Sequence, residues 1–200
     1  MTKILHRPAV IALTLLAHAY APPALADMTL MSADIADGQI VTTDQVLDGF
    51  GCAGSNMAPS LSWDGAPEGT QSFVVTAYDP DAPTGSGWWH WSVFNIPAKI
   101  TSLPEGSGSP EHPLPAGAIA ARNDFSRNDF GGFCPPVGDE PHHYVFTVYA
   151  MPQAALPLDE TASGAMVGYY TNSGSLARAS ITAVCWVLFC SIAAAALSGR

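Results

Sequence analysis

The sequence predicts an all-β protein, and three observations carry that reading. Its apolar runs are short, they are rich in Val, Phe, Tyr and Trp, and Gly and Pro punctuate the chain between them. The first run is Gln39-Ile40-Val41. The second, residues 72–78, reads Ser-Phe-Val-Val-Thr-Ala-Tyr and stops where Pro80 pushes Asp79 toward extended geometry. The third, residues 91–96, alternates large and smaller side chains as Trp-Ser-Val-Phe-Asn-Ile. The fourth and fifth are 144–151 and 179–184. One short helix is expected over residues 160–167, ahead of Gly168. The stretch 103–117 is dense in Gly, Pro and Ser without apolar periodicity, so it reads as a surface loop.

The N-terminus has the make-up of an export signal. Lys3 and Arg7 precede an apolar stretch from Ala9 to Ala21, and Ala24-Leu25-Ala26 offers a small-x-small cleavage site. The run is short for a membrane anchor and ends at Pro22-Pro23. Cleavage after Ala26 leaves five basic residues against 17 acidic ones, a net charge of −12. Such a field repels nucleic acid and anionic membranes at long range, so an anionic ligand has to be captured by local donors. The expected location is the periplasm or the exterior. Residues 27–184 are long enough for one domain with a good core.

The densest chemistry lies in Asp79-Pro80-Asp81-Ala82-Pro83 and, after a Thr-Gly-Ser-Gly spacer, Trp88-Trp89-His90-Trp91. Two carboxylates at a strand end face the start of the next strand, which returns an imidazole toward them. Two further segments stand out. Upstream is Gly51-Cys52-Ala53-Gly54-Ser55-Asn56-Met57-Ala58-Pro59-Ser60-Leu61-Ser62-Trp63. Downstream is Gly131-Gly132-Phe133-Cys134-Pro135-Pro136-Val137-Gly138-Asp139-Glu140-Pro141-His142-His143-Tyr144. In type, order and spacing these three segments resemble the signatures of the phosphatidylethanolamine-binding protein family, in its bacterial Raf-kinase-inhibitor-like branch. The resemblance runs from about Thr29 to about Val184 and implies a Greek-key β-sandwich with few helices.

Residue by residue, the resemblance implies a small anion-binding pocket made by Asp79, Asp81, His90, Gly132, Pro135, His142 and Tyr144, with Pro83 shaping its rim. The expected ligand is a phosphate or a phospholipid headgroup. No cofactor and no metal are implied. A carboxylate beside His90 or His142 would favour the imidazolium, and backbone N–H groups around Gly131-Gly132 would add a donor nest. Both cysteines of the signatures, Cys52 and Cys134, fall in Gly-rich loops of a chain that reads as exported, and they are expected to pair. Residues 180–184 resemble the family's closing strand. The chain then continues, and the 13 residues 185–197 are apolar in type yet too few to span a bilayer as a helix. They form an atypical hydrophobic extension, at most a weak membrane contact.

Plainer readings stand beside each of these. Asp79 and Asp81 also suit a turn cap, His90 a core histidine, and His142-His143 a polar strand edge. His112 reads as solvated, and Arg122 equally as an anion-steering group or a surface ion pair. The leading function is ligand binding. An inhibitor or interaction protein meeting a partner, such as a protease, through the pocket rim is the alternative. A hydrolase or metal site built on Asp79, Asp81, His90 and His142 is weaker. No Gly-x-Ser-x-Gly elbow marks an activated nucleophile, and Cys52 and Cys134 lack Cys-x-x-Cys spacing.

Overall fold

The computed structural model describes residues 27–186. The strands are β1 (Thr29–Met31), β2 (Asp48–Gly49), β3 (Cys52–Ala53), β4 (Leu61–Asp64), β5 (Ser72–Asp79), β6 (Trp88–Pro97), β7 (Ser102–Leu103), β8 (Ile119–Ala120), β9 (His142–Met151) and β10 (Ala177–Cys185), with α1 (Gly164–Gly174) before the last. The described residues are therefore mostly β with a single α-helix. A five-stranded sheet runs in the order β10-β9-β5-β6-β8, a three-stranded sheet β1-β4-β7, and β2 pairs β3. All these ladders are antiparallel.

The central strand β5 is buried along nearly its whole length because the large sheet is covered on both faces. On one face Phe73, Val75, Trp91, Val93, Phe146 and Val148 share a core with Leu30, Leu61, Trp63 and Leu103 of the small sheet. On the other, Val74, Phe94, Tyr149 and Met151 pack beneath Val167 of α1. Two-sided burial makes the sequence of β5 a continuous apolar run rather than an alternation.

The helix departs from its expected position. It begins at Gly164 and runs through Gly168 to Gly174. Ser163 caps it, its Oγ accepting from the Met166 N–H at 3.2 Å. Residues 160–162 are drawn into a turn in which Asp159 accepts from the Thr161 N–H and hydroxyl. Gly168 does not end the helix, because it and Gly164 let α1 lie on Trp89. A Cβ on Gly164 would come within 2.4 Å of that ring.

Residues 39–41 likewise form only a bridge to β10. Val41 N–H donates to Val184 O (3.0 Å) and Val184 N–H to Gln39 O (2.9 Å). The 3-10 turn Thr43–Gln45, capped by Thr42, ends the extended stretch there. Strand β6 starts at Trp88, so His90 lies inside it, and β10 runs one residue past the expected domain end to Cys185. The proposed signal segment 1–26 and residues 187–200 of the hydrophobic extension lie outside the described residues. Among the described residues no helix is long and apolar enough to cross a membrane.

Candidate functional site

Strand geometry aims the site. In the β5–β6 ladder Ala77 pairs with Trp91 and Tyr78 with Trp89, which leaves His90 as the extra residue of a bulge. A bulge of one residue turns two consecutive side chains to the same face. Trp91 therefore enters the core beside Phe130, while His90 meets Phe133 and Tyr144. Trp89, on the other face, is left for α1. Asp79 ends β5, and His142 and Tyr144 begin β9 next to it.

These side chains converge on a cavity of about 200 Å³. Asp79, His90, His142 and Tyr144 line it, as do Pro83 and Trp88. Leu47, Phe50, Phe125 and Pro136 add apolar wall, and Ala82, Thr84 and Cys134 complete it. The polar end is thus small and its surroundings are apolar.

Asp79 combines the two roles the sequence left open. Its Oδ1 caps the following turn, accepting from the N–H groups of Asp81 (2.8 Å) and Ala82 (3.1 Å). Its Oδ2 lies 2.8 Å from Nδ1 of His142, a pair in which both side chains are almost fully buried. On the other side of that ring, His142 Nε2 is 3.4 Å from Asp139 Oδ2. Asp81 points elsewhere. It accepts from the His143 N–H (2.8 Å) and pairs with His143 Nδ1 (2.7 Å) outside the cavity lining. Burial raises the Asp81 pKa, but the two His143 hydrogen bonds and the nearby imidazoles outweigh it and bring the group below its ordinary value.

His90 is 3 % exposed, and its Nδ1 lies 2.7 Å from the Gly131 carbonyl, which obliges Nδ1 to carry the proton. Burial pushes its pKa below the ordinary histidine value, against the Gly131 and Gly132 backbones and the Asp79 charge, which all work upward. The sequence-based expectation that a neighbouring carboxylate keeps this imidazole cationic is therefore corrected. Asp79 is engaged with His142, and desolvation dominates at His90. Burial, helped by the Asp79 charge, likewise drives the Tyr144 phenol well above its ordinary value, so it remains a donor.

The expected donor nest is also corrected. Gly131 N–H donates to His90 O (3.0 Å) and Gly132 N–H to Asn56 Oδ1 (2.7 Å), so both are spent inside the fold. Gly132 stands behind the cavity wall. A Cβ there would meet Gln45 O and Leu47 N at 2.6 Å, so the backbone approach requires glycine. Pro135 lines an adjoining groove of about 250 Å³ with Val137 and the disulfide, while its neighbour Pro136 reaches the cavity itself. Cys52 and Cys134 form the expected disulfide, with Cα atoms 6.0 Å apart. Arg122 is exposed and pairs through its backbone with Ala162, away from the cavity. His112 is exposed, on the wall of a separate cavity of about 470 Å³.

Sequence reasoning missed Leu47, Phe50, Thr84 and Phe125 as lining residues. Leu47, Phe50 and Phe125 come from loops distant in sequence and carry no local signal, whereas Thr84 lies in the spacer directly after Pro83. It also missed the His143–Asp81 pair. Among the described residues no group of three or more His, Cys, Asp or Glu is placed to hold a metal ion.

The family model described as phosphatidylethanolamine-binding protein matches residues 32–186, which contain the whole of this site. The chain belongs to the phosphatidylethanolamine-binding protein family. Within the family it is 55 % identical over 154 residues to the protein YbcL of Escherichia coli, covering 76 % of this chain and 84 % of that one. It is 50 % identical over 157 residues to E. coli YbhB, covering 78 % and 99 % respectively. The crystal structure of E. coli YbcL, described as a new member of the mammalian PEBP family, superposes with a TM-score of 0.77 at 54 % identity. That match covers 80 % of this chain and 98 % of that one.

Proposed function

We propose that the chain is an exported binding protein, periplasmic or secreted, whose cavity takes a small phosphate-bearing group such as a phospholipid headgroup. The same proposal reads the two sheets around one core as the family's Greek-key β-sandwich. One observation carries the functional reading above the others. Two buried imidazoles, His90 and His142, stand at the polar end of an otherwise apolar cavity, with the Tyr144 ring 5.1 Å and 6.5 Å from them. The N-terminal signal pattern and the disulfide support export. Binding rather than turnover is favoured because the cavity lining holds no Ser or Lys, its Thr84 hydroxyl is engaged with Gly87 O, and its one Cys is tied in the disulfide.

The capture mechanism follows from the donors that remain. With the Gly131 and Gly132 N–H groups committed, a phosphate oxygen is left the Tyr144 hydroxyl, Nε2 of His90 and, by displacing Asp139 Oδ2 at 3.4 Å, Nε2 of His142. His90 is neutral in the free protein, so Nε2 donates only after taking up a proton, and the arriving anion supplies the favourable charge for that uptake. Binding is therefore proton-coupled. Affinity for inorganic phosphate or phosphoethanolamine should rise as pH falls between about 8 and about 5, by up to about tenfold per unit for one proton. Replacing His90 or His142 by Ala should weaken binding about 10- to 100-fold, the loss of a hydrogen bond to a charged group. Calorimetric titration in buffers of different ionisation enthalpy checks both points. Equal binding by the wild type and both variants across this range overturns the reading.

A second reading is favoured by the adjoining groove beside the rim, which Phe50, 83 % exposed, and Val137, 86 % exposed, both line. Such apolar tips suit an interaction protein that meets a partner there.

A further inference from the structure

We propose that Asn56 is a positioning residue for His90. It locks the peptide between Gly131 and Gly132, so that the buried imidazole is held as the Nδ1–H tautomer and offers Nε2 to the cavity. The Asn56 side-chain amide reads two backbone groups. Its Nδ2–H donates to Phe130 O (3.0 Å), and its Oδ1 accepts from Gly132 N–H (2.7 Å). That N–H belongs to the same peptide unit as the Gly131 carbonyl, which lies 2.7 Å from His90 Nδ1. One end of a single peptide plane is thus held by Asn56, and the other sets the tautomer of the imidazole.

The plane needs a lock because glycine stands on both sides of it. Packing demands those glycines. A Cβ on Gly131 would come within 2.4 Å of the Phe125 ring, and one on Gly132 within 2.6 Å of the Gln45 and Leu47 backbone. Glycine also removes the steric barrier that would otherwise restrict rotation of the peptide. Flipped, the plane would turn the Gly132 N–H toward the imidazole, Nδ1 would have to accept, and the ring proton would move to Nε2. The amide of Asn56 opposes that state twice. Its Oδ1 would face the Gly131 carbonyl, and turning the amide over would set Oδ1 against Phe130 O. Asn56 is itself fixed, with φ +53 and its N–H on Val46 O at 2.9 Å.

The consequence falls on the cavity. With Nδ1–H committed, His90 changes only at Nε2, on the side where the ligand arrives. The proposal rests on the phosphate reading only for the nature of that ligand, since the lock is a property of the free protein. The groups facing His90 that share its electrostatics are Asp79 on β5, Tyr144 on β9 and Asp124 in the loop after β8.

Long-range 1H–15N spectra of the labelled protein at pH 7.5 report which imidazole nitrogen carries the proton. Asn56→Gly removes both contacts without straining φ +53, and Asn56→Asp keeps an oxygen for Gly132 N–H while losing the donor to Phe130 O. The wild type and Asn56→Asp should show the Nδ1–H pattern at His90, and Asn56→Gly should shift toward Nε2–H. An Nε2–H pattern in the wild type overturns the proposal, as does a folded Asn56→Gly with wild-type nitrogen shifts. Should Asn56→Gly not fold, loss of the Nδ1–H pattern in Asn56→Asp overturns the assignment to the Gly132 contact, and its retention supports it. Titration of the same samples with inorganic phosphate tests the cavity reading separately. A shifted tautomer with unchanged phosphate affinity sustains the lock and removes His90 Nε2 from the phosphate contact.

Discussion

His90 shows how a residue can be legible in identity and illegible in state. The run Asp79 to Trp91 places carboxylates and an imidazole together, and they do share one cavity. What a one-dimensional reading cannot supply is the bulge, which turns His90 inward, or the depth of burial that makes it neutral. A polar pocket also reads from sequence as marginal to the core. Yet Asp79, His90 and His142 are each no more than 3 % exposed, and the first two touch its hydrogen-bonded framework. Stability should therefore register His90. Its folded pKa lies below the unfolded value of about 6.5, so below that pH the unfolded chain binds more protons than the folded one. The stability associated with neutral His90 is present at higher pH and is lost as pH falls below about 6.5, by up to about 1.4 kcal/mol per unit until the folded pKa is reached. Urea unfolding at pH 7.5, 6.5 and 5.5 should show this fall in the wild type and a shallower one in His90→Asn, whose amide can still donate to Gly131 O. Equal slopes would mean that the imidazole is not held neutral by burial.

Elements were read from sequence most reliably where many apolar residues agree, as in β5, β6 and β9, whose cores match the expected runs to within a few residues at their ends. Very short strands escaped, because two- and three-residue elements such as β1, β7 and β8 are defined by their partners rather than by their own pattern. The helix was displaced for a different reason. Gly168 carries the local signal of a stop, whereas its tertiary role is to admit Trp89, a contact that no local pattern announces. That explanation has a quantitative consequence. Alanine is normally the better helix residue by about 0.8–1.0 kcal/mol. At Gly164, however, the added Cβ meets the backbone-proximal atoms of Trp89, so Gly164→Ala should destabilise by about 1–3 kcal/mol, as overpacking does. At Gly174 a Cβ has only ordinary contacts at 3.9 Å, and Gly174→Ala should be neutral or slightly stabilising. Thermal unfolding of the pair compares the two directly, and a stabilised Gly164→Ala would show that Trp89 yields.

For the molecule as a whole, the three signature segments, far apart in sequence, are brought to one end of the large sheet, and the disulfide ties two of them. It joins Cys52 in the β2–β3 hairpin to Cys134, two residues past the glycine pair, with a sequence separation of 82. Its pairing was legible because both cysteines lie in signature loops. Its second role became visible only in three dimensions, where Cys134 lines both the cavity and the adjoining groove, with Phe50 on the opposite strand connection. The bond should therefore act on both stability and binding. Closing a loop of this length removes unfolded-state entropy worth about 4 kcal/mol in the chain-entropy model. The buried core on both faces of the large sheet does not depend on it, so the reduced protein should still fold, at a lower denaturation midpoint. Freed from Cys134, the hairpin carrying Phe50 loses its tie to Pro136 across the mouth, and phosphate affinity should drop with the reduction of the bond. Cys52→Ser/Cys134→Ser, compared with the wild type by urea unfolding and by phosphate titration, separates the two effects. A variant that loses stability but binds phosphate as the wild type does would assign the disulfide to the fold alone.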